Sequence, residues 1–366
     1  MNKVYFGDIV REVKIKIDRA NNPYEYYVAG DHMDTEELQI IRRGKFSEPP
    51  EPGPAFIHAF IPGQILYGSR RTYLKKVAVA DFAGICANTT FVLETKDNNV
   101  FLQRLLPFLM YSERFTQYSI NKSKGSTNPY ILFSDLAKYE FNLPPLTEQQ
   151  KLADLLWAAN ATREAYKKLL FATTEIVKSR FVEMFGDPVM NPMEWEVSTL
   201  KDVAIDKLSY GLGASASDYN GETRYVRITD ITDTGELNND VVSPSQYDDK
   251  YLLHDGDILF ARSGATVGKT FRYSEKWGKC VYAGYLIRLI PNIKKVLPDY
   301  VFGYTKTDYY QEFVRLNQRT VAQPNINAQQ YGDLVICIPP LSLQNRFAEF
   351  VQQADKSTVF LWPLGS

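Results

Sequence analysis

A segment of about 35 residues occurs twice in this chain, and such a duplication constrains the fold more than any other feature of the sequence. When residues 127–161 are aligned with residues 322–356 without gaps, eight positions are identical. Further upstream, Gly63–Tyr67 matches Gly256–Phe260 at an offset that differs by only two residues. Two matching blocks in the same order at nearly one offset indicate a duplicated unit of about 195 residues.

Each copy of the unit combines strand-like and helix-like stretches. Tyr225–Ile231 and Phe91–Leu93 have the pattern of half-buried strands between turns rich in Gly, Asn and Asp. Helix-like stretches follow at Val100–Gln117 and Pro298–Leu316. Each copy then ends in a strand that runs into Pro-Pro-Leu, at Tyr139–Leu143 and Leu334–Ile338. The expected fold class is therefore mixed α/β, with two duplicated globular domains.

A long helix is predicted between the two copies. Thr147 is a suitable N-terminal cap, and no proline follows until Pro188, so about 39 residues can be helical. An apolar stripe follows one face of this helix, at Leu152, Leu156, Ala159, Tyr166, Leu170, Thr173, Val177 and Phe181. At 1.5 Å per residue the helix would be about 58 Å long, which favours a spacer that pairs with another helix. An ordinary helix packed on its own domain is the alternative.

These features predict the order of the domains. We expect a first domain at 1–146, the central helix at 147–186, a second domain at 187–340, a second helix at 341–357 and an atypical tail at 358–366.

The second helix is too short to mirror the first, because the apolar stripe stops and Pro363 would end a helix. About 16 residues of helix, if antiparallel, would cover the stripe near Phe181 but would not reach Leu152, Leu156 and Ala159. An exposed stripe of this size tends to find a partner. We expect that another copy of the chain or a partner subunit fills the gap, or that assembly is weakened.

Composition indicates a globular protein without a metal centre. Hydrophobic residues make up 45% of the chain and charged residues 23%. The first eighteen residues do not resemble a signal peptide, and no apolar run has the length of a membrane span. Three scattered cysteines favour a reducing cytoplasm, and three dispersed histidines offer no metal cluster. We therefore expect a cytoplasmic protein that does not contact membranes.

The net charge of −1 counts against a nucleic-acid binder, but the charge is unevenly distributed. Residues 262–319 hold eleven Lys and Arg against four Asp and Glu. A shorter basic run, Arg70–Lys76, lies in the first copy. Each run alone is more typical of a solvated surface than of a nucleic-acid site.

Two loops at equivalent places in the repeat, residues 121–128 and 317–325, are rich in amides, hydroxyls and cations. Such groups read base edges and grip phosphates, although most loops of this composition are only exposed turns. Together with the basic runs they give the candidate DNA-binding residues: Ser69, Arg70, Arg71, Lys75, Lys122, Lys124, Asn128, Arg227, Arg262, Ser263, Lys269, Arg319 and Gln323.

The order of motifs resembles the specificity subunit of type I restriction-modification systems. A domain ends in Pro-Pro-Leu with a downstream Gln, and a long helix leads to Phe185–Pro188, Asn191-Pro192 and Trp195. A second domain then ends in Pro-Pro-Leu again, and Gly256–Lys269 resembles a segment common in that family. The resemblance covers essentially residues 1–357.

The resemblance implies a function and a set of partners. Each of two target recognition domains would read one half of a split double-stranded DNA site, held apart by an antiparallel pair of long helices. The helices would dock two modification subunits, which bind S-adenosylmethionine and methylate adenine, and a motor-nuclease subunit would join for cleavage. The helix-pairing and docking residues would be Leu152, Leu156, Ala159, Tyr166, Leu170, Val177 and Phe181. The family's specificity subunit has no catalytic residues, so none are carried over.

Two motifs resemble catalytic sites without meeting their requirements. Gly264–Thr270 has three residues between its glycines where a nucleotide-binding loop needs four, and no helix pattern follows Lys269. Asn191–Trp195 lacks the row of Asn or Asp, two prolines and an aromatic that an amino-methyltransferase uses. We therefore expect neither a cofactor nor an enzyme activity in this chain. A protein-interaction scaffold that does not bind DNA remains the alternative function.

Overall fold

The computed structural model describes residues 2–18, 21–49, 52–319 and 324–359. The chain divides into two compact units, Met1–Arg163 and Glu164–Ser366. The central helix contributes residues to both units, so the division falls inside one helix.

The first unit begins with a strand, a short helix and a second strand, and it ends at the central helix. Its strands are β1 (Asn2–Tyr5), β2 (Val10–Glu12), β3 (Tyr26–Val28), β4 (Gly44–Lys45), β5 (Phe56–Phe60), β6 (Ile65–Gly68), β7 (Val77–Val79), β8 (Gly84–Ala87), β9 (Thr90–Thr95) and β10 (Glu140–Leu143). Its helices are α1 (Phe6–Ile9), α2 (Leu106–Tyr111), α3 (Glu113–Lys122), α4 (Phe133–Leu136) and the start of α5 (Leu146–Phe185).

The second unit has a similar order but lacks a helix equivalent to α1 among its described residues. Its strands are β11 (Glu196–Thr199), β12 (Ser209–Tyr210), β13 (Ala216–Asp218), β14 (Arg224–Val226), β15 (Val242–Pro244), β16 (Ile258–Ala261), β17 (Thr270–Arg272), β18 (Cys280–Tyr282), β19 (Leu286–Leu289) and β20 (Val335–Ile338). After the end of α5 its helices are α6 (Pro298–Tyr304), α7 (Asp308–Arg319), α8 (Ala328–Gly332) and α9 (Leu341–Val359).

The main strand pairings recur in both units. The sheet β2-β9-β6-β7 of the first unit matches β12-β19-β16-β17 of the second in order and direction. The parallel pair β3-β8 matches β14-β18, and the antiparallel pair β1-β10 matches β11-β20. The duplicated mixed α/β fold expected from the sequence is therefore confirmed.

The central strands are more deeply buried than the sequence pattern predicted. All four residues of β16 are fully buried, and β6 and Phe91–Leu93 are also buried on both faces. The expectation of half-buried strands is wrong here, because each central strand lies between two neighbours and has packing on both faces.

The predicted strand Tyr225–Ile231 is also too long. Strand β14 ends at Val226, because the carboxylate of Asp230 accepts a hydrogen bond of 2.8 Å from the Arg227 N–H and closes a turn. A local side-chain bond of this kind competes with a strand ladder.

The single helix predicted at Val100–Gln117 is two helices, α2 and α3, separated by Ser112. The Ser112 hydroxyl accepts a hydrogen bond from the Phe115 N–H and caps α3. In the second unit the Thr307 hydroxyl accepts from the Tyr310 N–H in the same way. A capping hydroxyl within an apolar run thus sets the helix boundary in both copies.

The glutamine after the first Pro-Pro-Leu fastens a loop to the start of α5. The Gln149 side-chain oxygen accepts a hydrogen bond from the Leu102 N–H at 3.0 Å. Its amide nitrogen donates to the carbonyls of Val100 and Pro144, both at 2.9 Å. The side chain is buried, and its three bonds satisfy both the amide and the backbone groups that it contacts.

Gln344 makes the same three bonds in the second unit. Its oxygen accepts from the Leu297 N–H at 2.7 Å, and its nitrogen donates to the carbonyls of Lys295 and Pro339. The identity of the two glutamines therefore reflects the architecture of each unit.

The two ends of α5 belong to two different hydrophobic cores. The helix begins at Leu146, so Thr147 lies in its first turn and is not the cap that the sequence suggested. Ala153 is fully buried in the first core, and Leu156 and Trp157 pack against it. The length of the helix is consistent with the expected spacer, but its first turns also belong to the core of the first unit.

The last turns of α5 are buried in the second unit. Phe181 and Phe185 pack against Tyr300 of α6 and Phe347 of α9, with ring centroids 4.8 to 5.5 Å apart. Helix α9 has 19 residues and extends two residues beyond the expected Ser357. These aromatic contacts fix the exit of α5 into the second unit.

Candidate nucleic-acid interface

Two loops lie side by side in each unit and carry most of the candidate DNA-binding residues. In the first unit they are the β6–β7 loop (residues 69–76) and the α3–α4 loop (residues 123–132). In the second unit they are the β16–β17 loop (residues 262–269) and the α7–α8 loop (residues 320–327), of which residues 324–327 are described.

Backbone hydrogen bonds hold the two loops of the first unit together. The Ile131 N–H donates to the carbonyl of Ser69 at 2.9 Å, and the Arg71 N–H donates to the carbonyl of Pro129 at 2.7 Å. These bonds place the basic run of one loop directly beside the other loop, although the two are about sixty residues apart in sequence.

The second unit reproduces the same bonds at the aligned residues. The Ile326 N–H donates to the carbonyl of Arg262 at 2.8 Å, and the Gly264 N–H donates to the carbonyl of Pro324 at 3.2 Å. An antiparallel bridge between the loops also recurs, pairing Arg70 with Tyr130 in one unit and Ser263 with Asn325 in the other. The two-loop arrangement is therefore a feature of the repeat.

Exposed cations and aromatic rings lie together on the loops of the first unit. The Arg70 guanidinium lies 5.7 Å from the ring centroid of Tyr130, and the Lys122 ammonium lies 5.9 Å from that of Tyr118. Arg71 is exposed and has a left-handed backbone, with φ of 51°. These side chains form a basic and aromatic surface of the kind that contacts nucleic acid.

Other predicted residues of the first unit already have partners. The Ser69 hydroxyl is buried and donates to the Thr89 carbonyl, and the Lys124 ammonium pairs with Asp135 at 3.0 Å. Asn128 is exposed on the α3–α4 loop.

Lys75 lies between two carboxylates, with ion pairs of 2.9 Å to Glu36 and 3.4 Å to Glu113. The hydrogen bond with Glu36 raises the pKa of the Lys75 ammonium above its ordinary value. This lysine contributes less positive field than Arg70 or Arg71, because two carboxylates offset its charge.

Arg262 lies on the β16–β17 loop of the second unit, at the position that aligns with Ser69 of the first unit. Its guanidinium lies 4.7 Å from the ring centroid of Tyr210 and donates from Nε to the Asn325 side-chain oxygen at 3.2 Å. Ser263 beside it is half-buried. The ring contact and the hydrogen bond orient the guanidinium, and no carboxylate of the described residues pairs with it, so its charge is available to a ligand.

Lys269 and Arg227 of the second unit are paired with acidic residues. Lys269 forms an ion pair of 2.8 Å with Asp233, and Arg227 forms ion pairs with Asp230 and Asp240 at 2.7 and 2.8 Å. The hydrogen bonds that the guanidinium donates to Asp230 also raise the pKa of Arg227. The side chain of Arg319 and the whole of Gln323 lie outside the described residues.

Sequence reasoning missed two residues of this surface, Tyr130 and Tyr210, and it included Asn325 only as part of the loop at 317–325. Tyr130 and Asn325 each follow the aligned prolines, and this shared position could have drawn attention to both. No sequence pattern indicated Tyr210, because it is the pairing of β12 with β19 that brings its ring close to Arg262.

Among the residues that the structure describes, no group of three or more His, Cys, Asp or Glu side chains could hold a metal ion. The same residues include no helix that is both long and apolar enough to cross a membrane.

A family model described as the type I restriction modification DNA specificity domain matches the chain twice, at residues 8–169 and 192–361. The two matches together cover most of the sequence. The chain belongs to this family. Each match coincides with one copy of the repeat, so the family domain is the unit that has been duplicated.

Two known proteins illustrate the relationship. The EcoDI type I restriction enzyme specificity subunit of Escherichia coli is 34% identical over 95 residues, which are 26% of this chain and 20% of that protein. The matched segment is thus about a fifth of that relative. A crystal structure of the type I restriction-modification S subunit from M. genitalium is 14% identical, with a TM-score of 0.53, covering 98% of this chain and 90% of that chain. This second likeness shows the fold alone.

Proposed function

We propose that this chain is the DNA-reading subunit of a type I restriction-modification complex and that the two-loop surface of each unit binds one half of a split duplex site. The recurrence of the two-loop arrangement carries this proposal. The same hydrogen bonds between loops occur in both units, and each unit presents an arginine guanidinium close to a tyrosine ring.

The chemistry of the loops fits a duplex ligand. An arginine fork can donate two hydrogen bonds to guanine in the major groove, or it can grip a phosphate. The strongest candidates are the residues with exposed or uncompensated charge, which are Arg70, Arg71 and Lys122 of the first unit and Arg262 of the second. Lys75, Lys269 and Arg227 contribute less, because carboxylates pair with them.

The partners of the chain follow from the same proposal. Two modification subunits, which use S-adenosylmethionine to methylate adenine, would dock on α5, and a motor-nuclease subunit would join for cleavage. Apolar side chains on α5 support a docking role, because Leu155 and Phe171 are each 67% exposed and Ile176 is 56% exposed. The chain itself would need no cofactor and would perform no chemistry.

Duplex binding at several salt concentrations tests the proposal. Phosphate contacts release counterions, so affinity should fall linearly on a logarithmic salt scale. Arg71→Ala and Arg262→Ala should each cost about 1–3 kcal/mol if the arginine contacts a base, and less if it contacts a phosphate. Arg104→Ala is the matched control, because Arg104 is exposed but pairs with Asp154 away from the loops.

A protein-interaction scaffold predicts another result. A chain that binds modification subunits but shows no salt-dependent affinity for duplex, alone or in that complex, would be a scaffold, and the DNA-reading proposal would be wrong.

A further inference from the structure

A polar cavity of about 450 Å³ lies in the second unit, behind the β16–β17 loop. Helix α7 forms its other wall. Its charged and amide-bearing lining residues are Asp233, Lys269, Lys306, Gln311, Arg315 and Gln318. Three cationic side chains against one carboxylate give the cavity a positive balance, and its volume lies in the range of small-ligand sites.

Lys306 is the cation without a counter-charge. Its ammonium lies 3.4 Å from the Thr270 hydroxyl and 4.4 Å from the ring centroid of Phe302. Within the described part of the chain, no carboxylate lies within ion-pairing distance of this ammonium. Burial lowers the pKa of Lys306 to about 8, because lost hydration outweighs the attraction of Asp233 and Glu236.

The other two cations of the cavity are already paired. Lys269 forms its ion pair with Asp233, and Arg315 pairs with Glu312 on the same helix. The amide nitrogens of Gln311 and Gln318 donate to backbone carbonyls. A ligand in this cavity would therefore meet Lys306 as its main unsatisfied charge, and that ligand would have to be an anion.

The first unit has no equivalent of this lysine. The matched caps Ser112 and Thr307 place Tyr111 at the position of Lys306. The Tyr111 hydroxyl donates to the Val77 carbonyl at 2.8 Å. The lysine in the cavity is thus specific to the second copy, even though the surrounding architecture is shared.

We infer that the cavity of the second unit binds a phosphate group, with Lys306 as its principal ligand. Lysine is a common phosphate ligand, and a tetrahedral dianion can also contact Lys269 and Arg315 at the rim. The phosphate would come either from the backbone of a bound duplex or from a free anion. The first source rests on the proposed function, whereas the second does not.

Competitive acetylation of the full chain tests this inference. The labelling of Lys306 is compared with that of the exposed Lys294 by mass spectrometry, across a pH series. The chain is studied alone, with inorganic phosphate and with duplex DNA. A bound phosphate should raise the Lys306 pKa by about one unit or more, so labelling near pH 8 should fall several-fold while that of Lys294 stays unchanged.

The arms of the experiment separate the two sources. Protection by inorganic phosphate assigns the cavity to a free anion, and protection by duplex alone assigns it to the DNA backbone. In the second case Lys306→Met should lower the salt-dependence slope of duplex binding by about one, whereas Lys294→Met should not.

Unchanged Lys306 labelling with both phosphate and a duplex that binds the chain would overturn the inference. If the chain binds no duplex, the proposed function is wrong. The labelling of Lys306 with inorganic phosphate then decides whether the cavity binds a phosphate group.

Discussion

The two equivalent glutamines, Gln149 and Gln344, show how one residue type can be required by architecture. Each is buried and bonded to three backbone groups, so loss of the amide would leave those groups without partners. In the sequence these residues were marked as identities within the repeat and as the glutamine that follows Pro-Pro-Leu, and the hydrogen bonds supply the reason for both.

Gln344→Leu should lower the free energy of unfolding by about 1–3 kcal/mol, because buried donors and acceptors lose their partners. Chemical denaturation followed by fluorescence measures the loss. Gln150→Leu is the matched control, since Gln150 is exposed and bonds only to Asp154. Equal stability of the two variants would show that the three bonds contribute nothing.

The loop residues illustrate what sequence can and cannot supply. Alignment of the repeat brought Arg70, Arg71 and Arg262 forward as candidates because the loops occupy equivalent positions. The pairing of Lys75 with Glu36 was not predictable, because the two residues meet only through tertiary structure. Whether a cation is free or compensated therefore requires coordinates.

At the scale of elements, the sequence predicted the length of α5 well and its environment poorly. The absence of proline between Pro145 and Pro188 permits one continuous helix, and 40 helical residues are observed. The apolar stripe did not reveal that Leu156 and Phe181 belong to two different cores. Periodicity identifies a buried face but not the element that covers it.

A change in the length of α5 should alter the DNA site. We expect half-site centres about one helical turn apart, roughly 34–36 Å. Four residues inserted in the exposed middle of α5 add about 6 Å of rise, so the spacer between half-sites should lengthen by about two base pairs. The methylated motif of the reconstituted complex measures this. An unchanged spacer would show that α5 does not set the distance.

Substitutions on neighbouring faces of α5 should separate docking from folding. Leu155→Lys should leave the melting temperature unchanged and weaken co-purification with the modification subunit, because Leu155 is 67% exposed. Leu156→Lys should lower the melting temperature, because Leu156 packs against the first core. Ile293→Lys is the exposed control in the second unit. Full docking of the Leu155→Lys variant would contradict the assigned surface.

At the scale of the whole molecule, the two units share the central sheet and the two loops but differ in the strands beside the parallel pair. The first unit adds β4 and β5 to its parallel pair, whereas the second forms a separate pair, β13-β15. Tyr111 and Lys306 differ at one equivalent position. Two domains that recognise different half-sites would need the same architecture with different side chains on it.

The most direct test of two independent DNA readers is a genome-wide map of methylated adenines. The chain is produced with its modification subunit as wild type, Arg71→Ala and Arg262→Ala. We predict that Arg71→Ala relaxes one half of the recognised motif and Arg262→Ala the other, with the untouched half as stringent as in the wild type. If either substitution alters both halves equally, the two units do not read DNA independently, and the account is contradicted.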